Sequence, residues 1–113
     1  MGKVEIEDDY YELGKRAMIL KIYYEQDDRD GLEDQVRSFR AYLSRNKNIS
    51  EYQRRAHAGL IRFCQRLAKL GAQHTALSQK KFRQSLEALT EQIENTQQIT
   101  NRDWMMTQCE CLF

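Results

Sequence analysis

Between Leu13 and Leu43, apolar residues recur at Leu13, Ala17, Leu20 and Tyr24, stop over Gln26-Asp27-Asp28-Arg29-Asp30-Gly31, and resume at Leu32, Val36, Phe39 and Leu43. Steps of three and four line each set along one face of an α-helix. The polar interval between them is long enough for a turn and nothing more. Two amphipathic helices joined this tightly must fold back on each other and bury their stripes together, as an antiparallel hairpin.

The rest of the chain repeats the pattern. Tyr52, Ala56, Leu60, Phe63, Leu67 and Leu70 form a third stripe, and Phe82, Leu86, Leu89 and Ile93 a fourth. The chain has no proline and five glycines, so little interrupts its helices. No segment alternates apolar and polar residues long enough to read as a strand. Helix starts are marked by side chains that accept hydrogen bonds from the first turn. Asp8 or Asp9 is expected to cap the first helix, Asp30 (with Glu33) the second, and Ser50 (with Gln53) the third. Ser78 is expected to cap the fourth and Thr100 (with Asp103) the fifth. Gly71 is the expected stop of the third helix. Leu77 with Phe82 and Ile99 with Trp104 are spaced as hydrophobic staples.

These readings predict one all-α unit over residues 1–113: a hairpin over about 9–46, a second over about 50–97 and a capping helix over about 100–112. Ser38-Phe39-Arg40-Ala41-Tyr42 faintly echoes Ser85-Leu86-Glu87-Ala88-Leu89, each in the second helix of its hairpin. Each heptad-like run is too short for a coiled coil.

Charge is strongly segregated. Residues 1–36 carry a balance of −6, residues 37–83 a balance of +11 with Glu51 the single acid, and residues 84–113 a balance of −4. Arg55, Arg62, Arg66 and Lys69 fall within one narrow sector of the third helix, away from its apolar stripe. The expectation is that antiparallel packing sets the acidic first and fourth helices beside the basic second and third, so that these charges pair internally. The competing reading is an open surface for nucleic acid or an acidic partner, using Arg54, Arg55, Arg62, Arg66, Lys69, Lys80 and Lys81. Tyr42 and Tyr52 lie near the basic segment at spacings compatible with either base stacking or core.

Catalysis finds no foothold in the pattern. There is no glycine-rich phosphate loop, nucleophile elbow or carboxylate pair with a proton acceptor. His57 is expected at the polar boundary of the third helix and His74 in a turn. Cys64 reads as a small buried residue. Cys109 and Cys111 lack the four-ligand set and the spacing of a structural zinc site. No cofactor, metal or small-molecule substrate is expected. The acidic start lacks the apolar run of a signal peptide, and no stretch approaches the roughly 20 apolar residues of a membrane span. A cytoplasmic location is therefore expected, unless a signal lies upstream.

Ala17-Met18-Ile19-Leu20-Lys21-Ile22-Tyr23-Tyr24-Glu25-Gln26-Asp27-Asp28 resembles the first helix and turn of a tetratricopeptide repeat. Tyr23 and Tyr24 match its aromatic region. Asp27 stands where glycine is usual, Leu32 stands where alanine is usual, and no proline closes the unit near Ser44. The chain as a whole is similar to a C-terminal module of bacterial tetratricopeptide-like proteins. The likeness rests on Lys21-Ile22-Tyr23-Tyr24-Glu25, Ser38-Phe39-Arg40, Ser50-Glu51-Tyr52-Gln53-Arg54 and Thr100-Asn101-Arg102-Asp103-Trp104.

The resemblance implies hairpins stacked as a short right-handed superhelix, a protein–protein interaction or scaffold function, and no catalytic residues. It also implies a place at the C-terminal end of a longer chain, since stacked repeats need about three units for stability. Partner contacts are expected in a groove lined by the first helices of the hairpins, from Tyr11, Lys15, Met18, Arg55 and Arg62, with Arg66 and Lys69 extending the basic ridge. Trp104, Met105, Met106 and Phe113 crowd the last helix. They are expected to close the end of the stack or to dock on another chain, for instance in a homodimer.

Overall fold

The computed structural model describes the backbone from residue 2 to residue 113 and side chains from Asp9 onward. Five helices follow one another: α1 (Gly2–Glu25), α2 (Arg29–Arg45), α3 (Glu51–Ala72), α4 (Gln79–Asn95) and α5 (Arg102–Leu112). No strand occurs among the described residues. None of their helices is long and apolar enough to cross a membrane.

The helix ends show which local signals the chain uses. Ser50 accepts a hydrogen bond from the Gln53 N–H at 3.1 Å and Ser78 one from the Lys81 N–H at 3.2 Å, as their positions predict. The other three starts differ from expectation. α1 already runs from Gly2, so Asp8 and Asp9 lie inside it rather than at its cap; the side chain of Asp8 falls outside the described residues. Asp9 Oδ1 instead receives Asn46 Nδ2 at 2.8 Å and the Tyr42 hydroxyl at 3.4 Å, tying α1 to the end of α2.

α2 is capped by Asp28, whose carboxylate accepts from the Gly31 N–H at 2.9 Å, and Asp30 sits within its first turn. Asp28 takes this role because it is also the last residue of the closure of α1. Its N–H donates to the Tyr23 carbonyl at 3.0 Å, while the Asp27 N–H donates to the Tyr24 carbonyl at 3.1 Å. This is a Schellman closure, and it holds Asp27 at φ 56°, the left-handed region.

α5 begins after Asn101, at φ 60°, with no side-chain cap, not at Thr100. The Thr100 N–H is committed to the Ala56 carbonyl on α3 (3.4 Å), and Asn101 Oδ1 accepts from Lys21 Nζ at 2.8 Å. The Lys21 contact thus occupies the Asn101 oxygen that could have capped the helix, while the Thr100 hydroxyl accepts from Asn101 Nδ2 at 3.2 Å. Gly71 likewise does not stop α3, which continues through Ala72 to Gln73.

α3 is the centre of the fold and packs against all four other helices. Around its circumference, α4 meets Arg62, Phe63 and Arg66. The start and end of α5 reach Ala56 and Gly71. Tyr23 and Tyr24 of α1 lie over Leu67 and Ala68, and α2 lies against Gln65, Lys69 and Ala72. Consecutive helices run antiparallel, which leaves α1, α3 and α5 parallel. Trp104 closes the α1–α5 seam: its indole N–H donates to Glu25 Oε1 at 2.8 Å, and its ring meets Tyr24 edge-on at 5.3 Å. α2 and α4 do not touch.

All four apolar stripes enter one core, with Leu20, Phe39, Leu60, Leu67, Leu86 and Ile93 among its most buried members. Two assignments on α3 are corrected. Tyr52, counted in the third stripe, is 56% exposed, and His57, expected at the boundary, is buried. The number of neighbours explains the second. With α1, α2, α4 and α5 all against it, α3 buries a much broader arc than one hairpin partner would cover, and His57 falls inside that arc.

Candidate docking surface on the central helix

At about 100° per residue, Arg55, Ala58, Arg62, Arg66 and Lys69 share one sector of α3, and all five are exposed. It is the sector left open because α2 and α4 stay apart. Two grooves flank it. One, of about 550 Å³, lies between α2 and α3, with Leu32, Val36, Ala68 and Ala72 as apolar walls and Arg29, Glu33 and Lys69 at its rim. The other, of about 460 Å³, lies between α3 and α4 and is lined by Arg62, Phe63, Arg66, Ala88, Glu91 and Gln92, among others.

The electrostatics of this face overturn the expected internal pairing. Every ion pair among the described residues lies within a single helix: Arg16–Glu12, Arg37–Asp34, Arg54–Glu51 and Arg55–Glu51. Where basic residues do reach another helix or loop, they meet neutral acceptors. Arg40 donates to Gln65 and Arg66 to Gln92, while Arg54 donates to the Asn46 carbonyl. Glutamine accepts such a bond without cancelling the charge. Arg62, Arg66 and Lys69 therefore keep their positive charge unneutralised by any described acid. Arg62 and Arg66 also lie over the Phe63 ring, 4.8 and 5.8 Å from its centroid, which holds the guanidinium groups along the groove.

The remaining candidates are dispersed. Lys80 and Lys81 are exposed on the first turn of α4. Tyr11, Lys15 and Met18 face solvent on the outer side of α1, while Arg62 and Arg66 line their groove with α4. In the last helix, Met105 is fully buried and Trp104 and Met106 pack against the core, so Phe113 is the one member of that set standing exposed. Tyr42 is not free to stack a base: Arg16 covers its ring at 4.4 Å, and its hydroxyl accepts from Asn46 and donates to Asp9.

Burial shifts the titratable groups of the interior. His57 Nδ1 lies 2.8 Å from the Gln53 carbonyl, which can only accept, so Nδ1 carries the proton; burial lowers the imidazole pKa. Burial pushes the Cys64 thiol up to about 12. It does the same to the Tyr24 hydroxyl, also to about 12, with the Cys64, Cys109 and Cys111 thiols adding to the shift. Among the described residues, no group of three His, Cys, Asp or Glu is placed to hold a metal ion.

The glutamines that anchor the arginines, and the notch beside Lys69, carried little signal in the sequence. Ala68 and Ala72, four apart on the flank of α3, were the one clue: small residues there leave room beside the helix that larger ones would fill. No protein-family model, curated protein or solved structure matches the chain.

Proposed function

We propose that the chain is a non-catalytic protein-interaction module of the helical-repeat kind, and that it docks its partner in the open sector of α3. The observation that carries this reading is the exposed run Arg62–Arg66–Lys69, left without a carboxylate partner among the described residues and set between two grooves with apolar walls. A fold that retained these charges for stability alone would gain by pairing them.

The finer architecture belongs to the same proposal. α1–α2 and α3–α4 are read as two divergent tetratricopeptide-like hairpins in a short right-handed stack, with α5 as the cap. Three features support it: antiparallel pairing within each hairpin, contact of α3 with the parallel α1 and α5, and the left-handed backbone of Asp27 where such repeats carry glycine. A basic surface for nucleic acid is the second reading, favoured by the same unpaired arginines.

A photo-reactive amino acid placed at Ala58, inside the sector, and separately at Met18, on α1, tests the proposal in cells. The expected result is a protein adduct from position 58, identified and then reconstituted with purified components. Reversal of charge in Arg62→Glu/Arg66→Glu should abolish that complex. Adducts from position 18 alone, or nuclease-sensitive adducts from position 58, would refute it.

A further inference from the structure

We infer that the occupant of the open sector is an acidic amphipathic helix of a partner protein, lying along α3 between α2 and α4. The inference rests on the interaction reading and goes further by naming the chemistry of the partner.

The first argument is geometric. A helix in close packing accommodates about six neighbours of its own diameter, and α3 has four. The gap between α2 and α4 lies over the sector from Gln65 and Lys69 on one side to Arg62 and Arg66 on the other, and a further helix there would be the fifth neighbour of α3. An extended strand finds no unpaired sheet edge here, because no strand occurs among the described residues.

The second argument is charge and its spacing. Arg62, Arg66 and Lys69 sit four and three residues apart, so their Cα atoms span roughly 10 Å along the axis. Carboxylates at i, i+4 and i+7 on an incoming helix have the same rise and fall on one face. Each can meet one cation. Partial burial between α2 and α4 would strengthen such contacts beyond those of a fully solvated pair.

The third argument is the apolar component. In the α2–α3 groove Ala72 is exposed and Ala68 half-buried above buried Leu32 and Val36, so a Leu, Ile or Met beside the acidic face of the partner would meet the two alanines. On the other side, Phe63 and Ala88 line the α3–α4 groove. Apolar anchors rimmed by charge are the usual composition of a helix-in-groove site.

A phosphate backbone fits less well. Glu33 stands on the rim of one groove and Glu91 on the rim of the other, within reach of any polyanion following the sector. A peptide helix can set its carboxylates over the cations and neutral residues over the glutamates; a phosphate at every nucleotide cannot.

The test is an unbiased selection. A displayed library of 18-residue helices, randomised on one face, is panned against the full chain and counter-selected against Arg62→Gln/Arg66→Gln/Lys69→Gln. Circular dichroism checks that the variant keeps its helices. The expected outcome is enrichment of sequences with acidic residues at i, i+4 and i+7 flanked by Leu, Ile or Met. A labelled winner should lose at least tenfold in affinity on the neutral variant. The variant Ala72→Glu, which fills the apolar notch with a charge, should weaken the same peptide.

Winners without the acidic pattern, failure to enrich any helix, or displacement of the winner by equimolar 20-nucleotide RNA would overturn the inference. A protein adduct from position 58 alongside any of these results would leave the interaction reading standing. Absence of that adduct would remove both.

Discussion

Replacing Gly31 with alanine places the local and tertiary demands on one residue in direct opposition. Gly31 occupies the third position of α2, and its N–H donates to the capping carboxylate of Asp28. Helix propensity alone would make alanine better there by about 0.8–1 kcal/mol. The tertiary structure forbids it. A Cβ on residue 31 would lie 2.5 Å from Cδ1 and Cε1 of Tyr23 and 2.9 Å from Asp28 Oδ2. The half-buried Tyr23 ring must swing away, the cap must loosen, or α1 and α2 must separate.

Overpacking of this kind costs about 1–3 kcal/mol, and a weakened cap adds up to about 1 kcal/mol. Set against the propensity gain, Gly31→Ala is expected to destabilise by about 1–2 kcal/mol. For a chain of this size that lowers Tm by roughly 4–8 °C. Urea unfolding followed at 222 nm measures it directly, and a double-mutant cycle identifies the cause. In a Tyr23→Ala background the clash with the ring is gone and only the 2.9 Å approach to Asp28 Oδ2 remains, so the cost of Gly31→Ala should shrink by about 1 kcal/mol or more. Gly59→Ala is the control: its Cβ would meet Ile99 Cγ1 at 3.5 Å, an ordinary contact, so it should stabilise in the native background. A neutral or stabilising Gly31→Ala in the wild-type chain would refute the reasoning.

Asp27→Gly relieves a left-handed backbone at φ 56°. It should raise stability by about 0.5 kcal/mol despite the entropy glycine adds to the unfolded state, read as a higher urea midpoint. The acid limb depends on His57. The unfolded imidazole titrates near 6.5 and the buried one lower, so stability is full above about pH 6.5. It declines as pH falls below that value, by up to about 1.4 kcal/mol per unit, until the folded pKa is reached. His57→Gln should flatten the change in urea midpoint between pH 7.5 and 5.5, and an equal slope in the variant would show that another group is responsible. At the alkaline end the unfolded Cys64 thiol ionises near pH 9, while the folded one is held up to about 12. Stability should therefore fall above pH 9, less so in Cys64→Ala. A thiol reagent at pH 8 should label Cys111 at once and Cys64 and Cys109 on the timescale of unfolding; three fast thiols would contradict their burial.

The particular residues divide by how far their partners lie. Ser50 and Ser78 were legible as caps because each satisfies an N–H three residues away. Asp30 and Thr100 were misleading because the elements before or beside each helix set its start. The turn of α1 draws Asp28 into the capping position, and α3 claims the Thr100 N–H. The basic ridge was legible as a stripe on α3. Its exposure was not, because whether a helix in the chain covers that stripe depends on where α2 and α4 settle.

From the sequence alone follow the all-α class, the four core stripes and the sector of α3 that carries Arg55, Arg62, Arg66 and Lys69. These are consequences of helical period, which acts over a turn or two of chain. The tertiary structure decided the rest. It made α3 the central helix, buried His57 and Met105, and left α2 and α4 apart so that the basic stripe faces solvent. It also gave Arg40 and Arg66 glutamine partners instead of acidic ones. Those outcomes turn on which faces meet across the fold, and charge segregation along the chain is a poor guide to that, because a stripe of arginine is equally compatible with a neighbouring acidic helix and with open water.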